Sequence, residues 1–177
     1  MNDVADHKRD VLRARARALA RRPDAQAAPA ASVHVVEFRL AGEAYAIESE
    51  LVREVYPLRE LTPLPCTPAF VLGIINVRGQ IVAVIDLRRF FDLPLTALTE
   101  LNRVVIVESD KLQVAILADA VVGVRSIALA DLQRTLATQT GICAEYVRGV
   151  TADRLTLLDA DRILADERIV VNESVEA

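Results

Sequence analysis

Tryptophan is absent from the 177-residue chain, and aromatic residues make up only 4% of it. Any interior must therefore be built from Val, Ile, Leu and Ala within a hydrophobic content of 53%, and an aliphatic, β-branched core favours strands. Long apolar runs are missing as well. The longest, at 70–75 and 114–118, stop well short of the roughly 20 residues that cross a bilayer, so direct membrane insertion is not expected. The N-terminus has no continuous apolar region and carries Asp3, Asp6 and Asp10 among its bases. It does not read as a secretory signal, and a cytoplasmic location is expected.

Cysteine is confined to Cys66 and Cys143, in no CxxC spacing. This argues against a metal site or disulfide framework and for two ordinary reduced thiols. Histidine is equally scarce: His7 lies in the N-terminal tail and His34 opens the first strand, which leaves no base for a hydrolase triad in the body. Neither GxxxxGK[ST] nor GxGxxG occurs, so no nucleotide site is expected. Asp86, Asp119, Asp159 and Asp161 could in principle act as carboxylate catalysts or metal ligands. Aspartates that end hydrophobic strands more often cap the following turn or helix. No cofactor and no catalytic residue is expected.

Charge is unevenly divided. Residues 1–32 hold seven bases against four acids, a balance of +3; with −4 for the whole chain, residues 33–177 carry −7. An acidic body argues against binding a phosphate backbone. A nucleic-acid-binding barrel using the basic tail is a distant alternative, because such barrels stack bases on aromatic platforms that this body lacks.

Residues 6–22 are rich in Ala, Arg and Leu and predict a helix that Pro23 stops, followed by a Pro/Ala linker to about residue 31. From Val33 the hydrophobic period becomes two. Strands are expected at 34–40, 44–47, 51–56, 71–77, 80–86, 103–108, 112–118, 121–126, 146–150 and 155–158, with short helical pieces at 87–91 and 160–164. Pro63, Pro65 and Pro68 make 62–68 an extended connector. Two consecutive groups of about five short strands predict an all-β fold of two small barrels, in which closure removes exposed edges. The divisions are an extension at 1–32, a folded domain at 33–168 with subdomains at 33–92 and 101–158, and a tail at 169–177.

Arg78 falls on the tight turn between two strands beside Gly79, where a guanidinium can project to grip a carboxylate. Glu54, between Val52 and Val55 on a short strand, is the natural partner. Residue chemistry alone leaves a partner interface level with a pair of exposed strand-end charges.

Four blocks then fall in a specific order: Gly42-Glu43-Ala44-Tyr45-Ala46-Ile47, Val52-Arg53-Glu54-Val55, 64–73, and Ile75-Asn76-Val77-Arg78-Gly79 running on through Val84-Ile85-Asp86-Leu87-Arg88. Together with 104–107, 114–121 and 146–150, they resemble the CheW-type coupling proteins of bacterial chemotaxis over roughly 33–168. The resemblance implies two SH3-like five-stranded barrels packed together. It also implies a non-catalytic adaptor that couples the cytoplasmic tips of methyl-accepting receptors to the regulatory domain of a CheA-type histidine kinase, at arrays on the inner face of the membrane. A related chemosensory pathway, controlling twitching pili or a second messenger, would use the same fold. The positions matching the receptor groove are Val52, Glu54, Arg78, Gly79, Val104, Ala115, Val121 and Val124. The kinase-contact surface would include Tyr45, Ile47, Val71 and Ile75. The chain departs from the family pattern at Ala83, where a proline is usual, at Ala115 and Ala120, where glycine is common, and in the tail at 1–32.

Overall fold

The computed structural model describes residues 31–95, 97–99, 102–110, 112–133 and 144–169; the expected helix at 6–22 and Cys143 lie outside them. Ten strands follow in order: β1 (Ser32–Leu40), β2 (Glu43–Glu48), β3 (Val52–Pro57), β4 (Val71–Val77), β5 (Gln80–Ile85), β6 (Arg103–Glu108), β7 (Gln113–Ala118), β8 (Ala120–Ala128), β9 (Val147–Val150) and β10 (Thr156–Leu158). Two short helices, α1 (Leu87–Phe90) and α2 (Ala160–Leu164), follow β5 and β10. Asp86 and Asp159 cap them, accepting from the backbone N–H of Arg88 at 3.0 Å and of Arg162 at 3.1 Å. The expected strand positions hold to within about two residues.

The grouping differs from the one expected. The strands form two five-stranded sheets, ordered β8-β1-β2-β10-β9 and β3-β6-β7-β5-β4. The division into 33–92 and 101–158 is therefore corrected: β1 and β2 belong with β8, β9 and β10, and β3–β7 form an insertion between them. Hydrophobic period reveals that a strand exists but not which edge it will meet. The default of neighbour pairing holds for β1 and β2 but breaks after β2, and the other edge of β1 meets β8 in a longer ladder, from Ser32 opposite Ala128 to Arg39 opposite Ala120.

Both sheets curl until their end strands meet. In the insertion, Thr62, just after β3, exchanges two backbone hydrogen bonds of 2.9 Å with Ile74 of β4, and Arg78 at the β4–β5 turn reaches Glu54 of β3. Gly73 permits the approach. Its φ is +144°, and a Cβ there would lie 2.2 Å from the Thr62 carbonyl oxygen. In the other sheet, Gln133 beyond β8 exchanges bonds of 3.0 and 2.9 Å with Val150 of β9. The expected pair of small barrels is thus observed.

Three clusters account for the core. Val35, Ala46, Ile127, Leu155 and Leu157 fill the first barrel; Ile75, Val77, Val82, Val84, Val104, Ile106, Ala115 and Leu117 fill the second. The largest cluster lies between them and takes Phe38, Leu40, Tyr45 and Ile47 from one side and Ile85, Val105, Val107, Val114 and Ile116 from the other. Strands β6 and β7 are consequently buried on both faces, which explains their unbroken apolar runs Val104–Val107 and Val114–Ala118.

Candidate functional site

The β4–β5 turn has Arg78 and Gly79 at φ of +53° and +89°, the paired positive angles of the turn that matches strand twist. Asn76 braces it, its Oδ1 accepting from the Gly79 N–H at 2.8 Å. The Arg78 side chain stands 79% exposed and places Nη2 3.0 Å from Oε2 of Glu54, itself mostly buried. The pair closes the rim of the second barrel and leaves most of the guanidinium available to another carboxylate.

Two bulges decide which other side chains share a surface. In β3, Val52 lies opposite Val107 and Glu54 opposite Ile106, with Arg53 as the extra residue. Cross-strand partners point to the same side, so Val52 and Val55 turn toward the shared core, whereas Glu54 turns to the second barrel's own face. In β8, Val121 lies opposite Phe38 and Val124 opposite Val36, with the extra residue between them. Phe38 and Val36 are two apart on β1, so Val121 and Val124 share one face. Without the bulge they would diverge. Val52 and Val121 pack against the shared core, while Val55 is 40% and Val124 68% exposed. The two barrels' end strands β3 and β8 each therefore show an aliphatic pair on the side of the shared core. Val55 joins this set only because of a bulge that no periodicity reveals.

Five expected positions are corrected, and one changes its setting. Val104 and Ala115 are fully buried in the interior of the second barrel and offer a partner no surface. Tyr45 and Ile47 are fully buried between the barrels, and Ile75 is buried inside the second; none of these three can be a kinase contact. Burial together with the Glu43 carboxylate pushes the Tyr45 phenol up, so it stays neutral. Val71 is only half-buried, packed against the shared core. These strands carry apolar residues on both faces because both faces are covered, not because one is a docking surface.

At the other end of β5, in the helical turn that follows it, lies a buried ion network. Arg88, 2% exposed, donates from Nε to Asp86 Oδ1 at 2.8 Å, from Nη2 to Asp86 Oδ2 at 2.9 Å and from Nη1 to Asp119 Oδ1 at 2.8 Å. Its hydrogen bonds to Asp86 hold it all the more firmly in the charged form, against the opposing effect of burial. A second cluster anchors the C-terminal segment: Asp166 accepts from Tyr146 and from Arg168, whose guanidinium lies 4.1 Å over the Phe90 ring. The Arg168 hydrogen bonds, aided by Tyr146, hold the Asp166 carboxyl well below the usual carboxylate range.

Twin barrels fused on a shared core, with charged rims and aliphatic end strands, are the build of a scaffolding module. The comparisons agree. Residues 34–168 match the CheW-like domain, and the chain belongs to that family. It is 30% identical over 142 residues to the chemotaxis protein CheW of Treponema pallidum, covering 76% of this chain and 84% of that protein. It is 31% identical over 138 residues to protein FrzA of Myxococcus xanthus, covering 74% and 84%. The scaffolding protein TtCheW of Thermoanaerobacter tengcongensis superposes with a TM-score of 0.66 at 30% identity, covering 78% of this chain and 90% of that one. The chain is thus a CheW-like scaffold of the chemotaxis type.

Proposed function

We propose that this chain is a non-catalytic adaptor that joins the cytoplasmic tips of methyl-accepting receptors to the regulatory domain of a CheA-type histidine kinase, at arrays on the inner face of the membrane. The observation that carries the reading is the rim at Arg78: a guanidinium 79% exposed, tethered to Glu54 at 3.0 Å, on a chain of the CheW-like family. In this reading a receptor's helical hairpin lays an apolar stripe against Val52 and Val55 on one side and Val121 and Val124 on the other, the helix-in-groove mode. Arg78 holds an acidic side chain of that helix. Gly79 keeps the turn free of a side chain. Regulation then passes as a change in the relative placement of receptor and kinase, with no bond made or broken.

The test is binding of a receptor-tip fragment and of the kinase regulatory domain to the full chain. Arg78→Glu and Val52→Lys should each abolish receptor binding. The swap Arg78→Glu with Glu54→Arg, which restores an internal pair but reverses the exposed charge, should stay folded and still fail to bind. Normal receptor binding by the swap and by Val52→Lys would reject the groove. The likeness to FrzA of Myxococcus xanthus favours one second reading, the same adaptor chemistry in a related chemosensory pathway. A CheA-type kinase and a receptor encoded beside this gene, with their outputs, would separate the two.

A further inference from the structure

The chain passes between the barrels twice among the described strands: at Ser49–Leu51, from β2 to β3, and at residue 119, from β7 to β8. The second crossing is a single residue, Asp119. Its carboxylate is divided between the two bodies. Oδ1 accepts from Nη1 of Arg88 at 2.8 Å, in the helical turn that ends β5 of the second barrel. Oδ2 accepts from the backbone N–H of Ala41 at 2.8 Å, in the β1–β2 turn of the first. The Asp119 N–H donates in turn to the carbonyl of Arg39 on β1 at 2.9 Å. Arg88 is itself locked by two bonds to Asp86, and both are 2% exposed, so the second-barrel end of this link is rigid.

We propose that Asp119 is a positioning residue: its carboxylate fixes the angle between the two barrels and, through it, the spacing of the groove walls that β3 and β8 carry. The inference rests on the groove assignment made above. Val121 stands two residues beyond Asp119 on β8, so a change of angle at this joint moves one wall directly. A carboxylate suits the task because each of its oxygens meets an N–H donor. An amide has one accepting oxygen and one NH2 group, so however Asn is turned, a donor faces a donor at one barrel or the other. With Arg88 2% and Asp119 23% exposed, salt screens the link less than it would a surface pair.

The experiment uses the full chain with Cys66→Ser and Cys143→Ser, spin-labelled through Gln80→Cys on the second barrel and Ala152→Cys on the first. Inter-label distance distributions, thermal midpoint and affinity for a receptor-tip fragment and for the kinase regulatory domain are measured for Asp119→Asn and Asp119→Glu. Leu157→Val, a change in the interior of the first barrel, serves as a control that destabilises without touching the joint. Asp119→Asn should broaden the distance distribution and weaken receptor binding by about 3- to 30-fold, while Leu157→Val at a comparable thermal midpoint changes neither. Asp119→Glu, which keeps both acceptors, should restore part of the affinity. An unchanged distribution, or equal affinity losses in Asp119→Asn and Leu157→Val, would overturn the proposal. Arg78→Glu keeps the two readings apart. If it loses receptor binding while Asp119→Asn binds normally, the joint is wrong and the groove stands; if it too binds normally, the groove fails and the label distances alone decide the joint.

Discussion

Replacing Arg88 by Met removes the centre of the buried ion network and keeps the length of the apolar stem. Three guanidinium nitrogens lose their carboxylate partners, at 2.8, 2.9 and 2.8 Å. Asp86, 2% exposed, loses both short bonds and keeps the longer contact to Arg89 Nε at 3.8 Å, and Asp119 loses the bond on its Oδ1. Removing one member of a buried pair costs about 3–5 kcal/mol, much more than the net worth of the intact pair, because the remaining charge stays desolvated. With a urea dependence of about 2 kcal/mol per molar, the midpoint of unfolding should fall by roughly 1.5–2.5 M. Arg88→Lys keeps the charge but not the fork that grips both Asp86 oxygens, so its loss should be intermediate. Arg53→Ala is the contrasting case: its pair with Glu108 is 3.2 Å long but about half exposed on both sides, and its removal should cost no more than about 1 kcal/mol. In 1 M salt the Arg53 effect should vanish and the Arg88 effect should persist. A loss below about 1 kcal/mol for Arg88→Met would refute the reasoning, since water would then have to reach the two carboxylates.

Gly73→Ala should lower stability severely, because its Cβ meets the Thr62 backbone; Gly79→Ala, at φ +89° with nothing within 4 Å, should cost only about 1–2 kcal/mol of local strain. Urea titrations compare the two, and similar losses would deny the close approach of the connector. Asp166 contributes through a depressed pKa, so its stabilisation is complete above the unfolded value of 3.8 and is lost as pH falls through and below it. The thermal midpoint of the natural chain should therefore exceed that of Asp166→Asn by a constant margin from pH 8 to pH 5 and converge on it below about pH 4; an undiminished gap in acid would count against the Arg168–Asp166 bond. Ile169→Ala, at a buried position of the shared core, should lower stability by about 2–4 kcal/mol, whereas an effect near zero would mean that the C-terminal segment does not dock.

Local signals carried most of the elements. Alternation in His34–Leu40 and the short apolar run Val104–Val107 located strands, and the aspartates at 86 and 159 were legible as helix caps. The Arg78–Glu54 pair was legible too, because a strand–turn–strand pattern with Gly79 projects a side chain outward. What escaped was everything that depends on the second face of a strand. Tyr45, Ile47, Ile75, Val104 and Ala115 were expected as contacts because the family resemblance implies them, and the apolar pattern of a strand does not show whether its faces are already covered. Their cover is the other barrel, or the opposite wall of their own. The bulges at Arg53 and beside Val122 were also silent, yet each flips the sidedness of everything beyond it. Asp119 read as a turn residue because its partner Arg88 is 31 positions away and nothing local predicts that a guanidinium will be buried there.

The nesting of the chain explains why one carboxylate can matter to the geometry of both bodies. Barrels built from consecutive segments would be joined by a single linker and could turn about it. Here the second barrel is inserted between β2 and β8 of the first, so it is held at both ends, by the turn at Ser49–Leu51 and by Asp119. Two attachments reduce the possible motion to rotation about the line between them. The shared core resists that rotation across a packed aliphatic surface, and the Arg88–Asp119–Ala41 link resists it in a directional way, since hydrogen bonds weaken steeply with angle. In the proposed adaptor role this build would transmit the placement of one partner to another, and loosening the joint should blunt that transmission before it unfolds either barrel.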